Sequence, residues 1–208
     1  MCIRDSCSNK VPLDLTPAAF GELKDSSDLL NDTAALKLAM DTQGYLLLRN
    51  LLDRDLVAAA RHEILLKYAT IGELSPSHSY DDAIYNPDSA LRSVDLRAFT
   101  QSVRDGQAYE SVVLADSLLE VHRKLLGGEV RSFDFRWPRL ARPGEGCGIH
   151  CDGPYMNRAT DKIYSSWIPL GRVDKHEGAL MVLERQPNHR ELLGDYLDRD
   201  ADQISSSG

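Results

Sequence analysis

Apolar residues in the first 126 positions recur at the spacing of amphipathic helices, and two stretches also carry the signals that begin and end a helix. Asp32 and Asp53 each precede a run of helix formers, which Gly44 and Gly72 respectively follow. An aspartate at the N-cap accepts hydrogen bonds from the first free amides, and glycine tolerates the left-handed backbone that ends a helix. The pattern therefore predicts one helix between Asp32 and Gly44 and another between Asp53 and Gly72.

Simpler signals predict the other elements in the first 126 residues. Thr16 followed by Pro17 is typical of an N-cap and a first helical position. A packing helix is predicted from about 109 to 126, before two glycines, and the apolar run 45–49 is predicted to be a short strand. Residues 73–88 are rich in proline, asparagine, serine and aspartate, which indicates an irregular surface loop that could border a pocket.

From Glu129 onward the period of the apolar positions changes from helical to strand-like. Four short runs are predicted to be strands: Val130 to Trp137, Ile149 to Asp152, Ile163 to Leu170 and Ala179 to Leu183. Helices first and strands later predict an α+β fold, in which helices pack outside an antiparallel barrel or jelly roll. We interpret residues 9–208 as a single domain.

Composition and charge narrow the classes of function. The chain has 208 residues, is 42% hydrophobic and carries a formal net charge of −8. A negative chain without a basic stripe would repel a phosphate backbone, so nucleic acid is not an expected partner. No apolar run has the roughly 18 residues needed to span a bilayer. We therefore expect a soluble protein that acts on a small molecule.

The cysteines indicate the cellular compartment of the protein, and the first residues bear on whether the natural N-terminus is present. Four cysteines are too few for the disulfide framework of a small secreted scaffold, which favours a reducing, cytoplasmic location. Residues 1–6 lack the apolar core of a signal peptide and resemble a translated sequencing adapter. We interpret residues 1–8 as an adapter-derived or disordered tail, with the natural N-terminus missing.

The candidate chemistry lies in a segment of glycines and prolines around His150 and Asp152. In a strand, side chains two positions apart point to the same side, so these two can reach one metal ion. One imidazole and one carboxylate, completed by a distant histidine, form the facial triad of non-haem Fe(II) oxygenases. The spacing therefore predicts two of three iron ligands. The alternative without a metal is that both residues are solvated side chains at the end of a strand.

A zinc site is the rival interpretation of the same segment. Cys147, His150 and Cys151 are all possible zinc ligands. An extended strand places both cysteines on the face opposite His150, and the segment offers no second cysteine pair to complete four ligands. We favour ordinary small buried residues for the two cysteines.

Several blocks, in order, resemble the phytanoyl-CoA dioxygenase family. Residues 44–52, followed by an acid-capped helix, are similar to the N-terminal strand and helix of that family. Residues 149–153, 167–170 and 177–183 match later blocks in the same order. The resemblance extends from about residue 35 to 190, and its specificity lies in the order of the blocks.

This resemblance implies a double-stranded β-helix core, jelly-roll or cupin-like, with N-terminal packing helices. It implies that His150 and Asp152 bind Fe(II), that 2-oxoglutarate chelates the same ion and that dioxygen takes the last position. Oxidative decarboxylation of 2-oxoglutarate would then accompany hydroxylation of a small organic substrate. By position, Trp167 resembles the tryptophan beside 2-oxoglutarate, although a core aromatic in a barrel strand is an equal alternative.

The family's second metal histidine and its cosubstrate arginine lie downstream of residues 177–183. This implies a domain whose C-terminal strands are missing. His176 and His189 are both interpreted as structural or solvated, with His189 as the minor alternative for the third ligand. Arg185 and Arg190 are weak candidates for the cosubstrate anchor, because charged loop residues are usually solvated.

Two other functions compete with the oxygenase. One is a non-catalytic jelly-roll protein that binds a small molecule and keeps the fold without the chemistry. The other is a zinc-dependent hydrolase, which would need a general base such as Glu145 near the metal-bound water. The substrate is not readable from the sequence, although residues 73–93 are expected to help select it.

Overall fold

The regular structure of the chain is mostly helical. A computed structural model describes residues 7–8, 11–89, 95–134, 136, 138–142, 148–156, 160, 162–174 and 178–199. Its α-helices are α1 (Thr33–Gln43), α2 (Arg54–Thr70), α3 (Leu96–Arg104), α4 (Gln107–Val113), α5 (Asp116–Leu126), α6 (Gly153–Met156) and α7 (His189–Leu193). Short 3-10 helices cover Ser27–Leu29, Tyr80–Asp82 and Gly194–Asp198, and a hairpin pairs β1 (Cys7–Ser8) with β2 (Val11–Pro12).

The two capped helices predicted from sequence are confirmed. The Asp32 carboxylate accepts hydrogen bonds from the first amides of α1, and Asp53 does the same for α2. Gly44 ends α1 with a φ of 83°, in the left-handed region that favours glycine. Because these signals act within one turn, the local sequence determines where the helices begin and end.

Other helix predictions were partly wrong. The helix predicted from about 109 to 126 is two helices, α4 and α5, separated at Leu114 and Ala115. Thr16 and Pro17 begin only a single turn, in which the Phe20 amide donates to the Thr16 carbonyl. The capped helix α3 was not anticipated, although Asp95 caps it as Asp32 caps α1.

A contact between helices explains why α4 begins where it does. The Glu63 carboxylate, from the middle of α2, accepts a hydrogen bond of 2.8 Å from the Ala108 amide at the start of α4. A Cβ at Gly106 would overlap Glu63 Oε1, so glycine permits this close approach. The cap of α4 therefore comes from another helix, not from its own N-cap residue.

Two apolar clusters form the core. In the first, Leu36 of α1 packs with Val121 and Leu125 of α5. In the second, Ile64 of α2 packs with Val103 and Tyr109 of the α3–α4 region. All six are buried, so the described core lies between helices.

The predicted α+β fold with a double-stranded β-helix core was wrong. In the part of the chain that the structure describes, β1 and β2 are the only strands, and two isolated bridges, Asp25 with Leu47 and Leu74 with Tyr85, complete the pairing. The described parts of all four runs predicted as strands lack regular secondary structure. Alternation of apolar and polar residues predicts which side faces the core, but a sheet also needs a partner strand for its backbone hydrogen bonds.

The segment 162–174 illustrates this difference. Tyr164 packs against the first core cluster and Leu170 against the second. Between them, Ser166 lies 3.3 Å from the His122 ring on α5, and Trp167 is exposed. Its alternation therefore reflects packing on helices, not pairing in a sheet.

A second C-terminal segment docks on the end of α1. The Arg185 amide donates to the Gln43 carbonyl at 2.9 Å, and its guanidinium donates to the Asp41 carbonyl at 3.0 Å. One residue earlier, Glu184 accepts a hydrogen bond of 3.0 Å from the buried Tyr45 hydroxyl. A Cβ at Gly44 would lie 3.3 Å from the Arg185 Cβ, so the contact is close.

We expect Gly44→Ala to lower the free energy of unfolding by about 1–2 kcal/mol, because alanine is strained in the left-handed backbone conformation. The new methyl group would also crowd Arg185, which should add a further loss. Gly72→Ala is the matched control, because Gly72 has a φ of 75° and open space around it. Urea unfolding of both variants separates the two costs. Equal losses would contradict the packing of Arg185 on Gly44.

The loop 73–89 is closed at its base by Glu73, whose side chain is 1% exposed. The Arg142 guanidinium donates to both carboxylate oxygens of Glu73 at 2.9 Å, and the Ser89 hydroxyl donates to the same carboxylate. The Asn86 amide donates to the Glu73 carbonyl at 2.9 Å. The predicted irregular loop is therefore confirmed, and a buried ion pair fixes it to residue 142.

None of the helices in the described ranges is both long and apolar enough to cross a membrane.

Candidate functional site

The His150 and Asp152 side chains lie next to each other at the surface. His150 Nε2 is 3.4 Å from Asp152 Oδ1, and the two side chains are 37% and 50% exposed. They belong to a turn that leads into α6, not to a strand, and the Tyr155 amide donates to the Asp152 carbonyl at 3.0 Å. The two predicted ligands are thus adjacent and open to solvent, although a different local structure places them there.

The contacts of His150 determine which ring nitrogen faces Asp152. His150 Nδ1 lies 2.8 Å from the Gly148 carbonyl oxygen. A carbonyl can only accept a hydrogen bond, so Nδ1 carries a proton and Nε2 is the ring nitrogen that faces the carboxylate. Nε2 and the carboxylate oxygen can both offer a lone pair, so a proton or a cation can be shared between them.

The spacing of these donor atoms suits one metal ion. Two ligands in adjacent positions of an octahedral ion, each at about 2.1 Å, are separated by about 3 Å. The 3.4 Å between Nε2 and Oδ1 needs only a small adjustment to reach that value. The Tyr155 and His150 rings pack nearly perpendicular to each other, with centroids 6.3 Å apart, and this contact helps to fix the orientation of the imidazole.

A complete metal site is not visible in the described residues. No group of three or more histidine, cysteine, aspartate or glutamate side chains within those ranges could hold an ion. The pair supplies two ligands, and a third would have to come from elsewhere in the protein. His176 lies outside the described ranges.

The rival zinc ligands receive little support. Cys151 is partly buried, and burial raises the pKa of its thiol, with a further increase from the neighbouring Asp152 carboxylate. A raised pKa disfavours the thiolate that binds zinc. Cys147 and Glu145, the proposed base of a zinc hydrolase, lie outside the described residues.

The other candidate residues have separate environments. Trp167 is 51% exposed, and its contact with a cosubstrate stays a prediction. His189 begins α7, and its Nδ1 atom is buried without a hydrogen-bond partner in the described structure. Arg190 donates to Asp198 at 2.9 Å, and Arg185 binds the end of α1. As cosubstrate anchors, both arginines would have to give up these contacts.

One contact at the site was missed by the sequence analysis. The Cys151 amide, between the two candidate ligands, donates a hydrogen bond of 3.3 Å to the Tyr196 hydroxyl. Tyr196 lies in the 3-10 helix Gly194–Asp198, which packs against α6. No local sequence signal connects residues 45 positions apart, so only the tertiary structure could reveal this pair.

Two curated proteins from Streptomyces are similar to the chain. One, from Streptomyces arenae, is named 1-deoxypentalenic acid 11-beta-hydroxylase and is 27% identical over 172 residues, which cover 79% of this chain and 58% of the relative. The protein of the same name from Streptomyces exfoliatus is 29% identical over 153 residues, which cover 70% of this chain and 51% of the relative. The chain thus spans about half the length of these curated relatives.

The names of both relatives are those of hydroxylases, which is consistent with an oxygenase. No protein-family model matches the chain, and no solved structure matches it.

Proposed function

We propose that the chain is part of a non-haem Fe(II)- and 2-oxoglutarate-dependent dioxygenase that hydroxylates a small organic molecule. His150 and Asp152 are two of its metal ligands in this proposal. The observation that carries it is the pairing of His150 Nε2 with Asp152 Oδ1 at 3.4 Å, at an exposed site. The similarity to two proteins named hydroxylases supports the same class of reaction.

The local contacts suit the two residues to this role. The hydrogen bond to the Gly148 carbonyl keeps His150 in the tautomer that binds a metal through Nε2. Asp152 contributes a negative oxygen, which offsets part of the charge of a divalent ion. Fe(II) in this class of site uses the hard oxygen donor of a carboxylate and the borderline nitrogen donor of a histidine.

When bound, Fe(II) supplies the centre at which dioxygen and 2-oxoglutarate react to give a hydroxylated product, succinate and carbon dioxide. The chain's own residues bind and orient. His150 and Asp152 would hold the ion, and Trp167 would contact the cosubstrate. The third ligand and the cosubstrate arginine come from outside the described residues.

The test is an anaerobic titration of Fe(II) with 2-oxoglutarate, using protein expressed from the natural ends of its gene because the chain spans only part of its relatives. We expect a visible charge-transfer band from the chelate. His150→Ala and Asp152→Ala should each abolish that band, because an incomplete set of ligands holds the divalent ion weakly.

His62→Ala is the matched control for this titration. His62 Nδ1 lies 3.2 Å from Asp81 Oδ1, so it forms a second exposed His–Asp pair of similar spacing. The band should persist in this variant. A folded protein with no band would reject the oxygenase, and a band that survives His150→Ala would reject this pair as its ligands.

A further inference from the structure

We propose that Tyr196 is a positioning residue for the metal site, and that it holds the backbone between His150 and Asp152 in place through the Cys151 amide. This inference rests on the proposed function, because it concerns the same two ligands. Its physical basis is the hydrogen bond of 3.3 Å that the Cys151 amide donates to the Tyr196 hydroxyl.

The position of this hydrogen bond in the chain gives it leverage over both ligands. The Cys151 amide belongs to the peptide that joins His150 to Cys151, one residue before Asp152. The ψ angle of His150 and the φ angle of Cys151, on either side of that peptide, are two of the backbone torsions that set the direction of the imidazole relative to the carboxylate. Holding the amide in place therefore restricts the relative orientation of the two ligands.

The element that carries Tyr196 has further contacts with the chain around it. Arg190 of α7 donates to Asp198 at 2.9 Å, and Arg199 lies 3.2 Å from Asp195. These ion pairs lie at the two ends of the 3-10 helix Gly194–Asp198, which also packs against α6 directly after Asp152. The turn is thus held by one element at both its centre and its end.

The remaining described contacts of the pair are local. They comprise the Gly148 carbonyl on His150 Nδ1, the Tyr155 ring on the imidazole and the Tyr155 amide on the Asp152 carbonyl. Contacts within a few residues set the shape of the turn. A contact from a distant element, such as Tyr196, sets where the turn lies and limits its motion.

When the Tyr196 hydroxyl oxygen accepts the amide hydrogen bond, its own proton can still be donated to another group.

Residues that orient a metal ligand through a hydrogen bond typically change the metal affinity by 10- to 100-fold when they are removed. Because Tyr196 acts through the backbone, we expect the lower end of that range.

The experiment compares Tyr196→Phe with wild type, using Mn(II) alone as the probe, and adds hydrogen exchange of the metal-free protein. Removing the hydroxyl should weaken Mn(II) binding about 10-fold. Exchange of the Cys151 amide should become faster, because its acceptor is gone. The unfolding midpoint should change little, since the Phe ring preserves the packing.

Tyr45→Phe is the control for a loss that is merely structural. The Tyr45 hydroxyl also accepts a backbone amide, from Lys24 at 3.0 Å, and it is buried far along the chain from residue 150. Its removal should lower stability and leave the Mn(II) affinity unchanged. A role limited to stability would give Tyr196→Phe the same signature.

The possible failures are distinguishable. If His150→Ala weakens Mn(II) binding but Tyr196→Phe does not, the positioning role is wrong and the proposed function stands. If Cys151 exchange is unaffected by Tyr196→Phe, the contact itself is refuted without any metal. If His150→Ala leaves Mn(II) binding unchanged, the assignment of this pair as metal ligands fails and the inference fails with it.

Discussion

Replacing Glu73 by glutamine is expected to lower the free energy of unfolding by about 3 kcal/mol. Breaking a buried ion pair costs about 3–5 kcal/mol, because the remaining charge stays in a poorly solvated place. The Arg142 side chain left behind is 25% exposed, so water relieves part of the cost and the lower end of the range applies.

The surroundings of this pair make its removal costly. The guanidinium binds both carboxylate oxygens, in the geometry that only arginine offers. Arg142 also lies over the Tyr85 ring, with its Cζ atom 5.9 Å from the centroid. Burial raises the pKa of the nearby Tyr68 hydroxyl, and the Glu73 carboxylate adds to that increase. The Glu73–Arg142 ion pair is therefore shielded from water on several sides.

The order of two single variants tests this explanation. Arg142→Met should cost more than Glu73→Gln, because it leaves a carboxylate that is 1% exposed without its counterion. The double variant Glu73→Met with Arg142→Met should cost less than the sum of the single losses, since no charge is stranded. Equal and additive losses would contradict a buried pair.

Glu120→Gln is the matched control for these measurements. Glu120 pairs with Arg123 at 3.5 Å on the surface of α5, and its side chain is 52% exposed. Exposed pairs contribute about 0–1 kcal/mol, so urea unfolding of this variant should be close to wild type. The difference between the two glutamine variants then reports the effect of burial.

Leu36→Ala is expected to lower the free energy of unfolding by about 2–5 kcal/mol. Leu36 is fully buried and packs against Val121 and Leu125 of α5. Truncation removes apolar contacts and leaves a cavity that the two helices can only partly fill. Since α1 and α5 meet through this cluster, the loss should appear in thermal and urea unfolding alike.

Leu38→Ala provides the comparison within the same helix. Its side chain is 64% exposed, so the same truncation removes little buried area. Alanine is also the stronger helix former, and the change in stability should be close to zero. A loss similar to that of Leu36→Ala would contradict the placement of the core between α1 and α5.

The sequence determined the elements whose signals are local. Asp32, Asp53 and Gly44 act on backbone groups within one turn, so the limits of α1 and α2 followed from the sequence alone. The break at Leu114 and Ala115 did not follow, because the apolar pattern continues across it. Glu63, which caps α4 from another helix, was equally invisible to a local pattern.

For the candidate site, the sequence supplied the residue types and their spacing. The sequence predicts His150 and Asp152 as a pair because they lie two positions apart, and the structure places their donor atoms 3.4 Å apart. The prediction assumes a strand, whereas the structure shows a turn before α6. Residues this close in the chain can approach each other in more than one backbone conformation.

What the sequence by itself determined about this protein is therefore short-range: helix caps, the irregular loop after α2 and the His-x-Asp motif. The tertiary structure decided that the alternating runs of the C-terminal half pack on helices, as Tyr164 and Leu170 do, and not in a sheet. It also decided the contacts of Glu73 with Arg142 and of Cys151 with Tyr196. The physical reason is that a strand or a long-range contact needs a partner, and its position depends on how the whole chain packs.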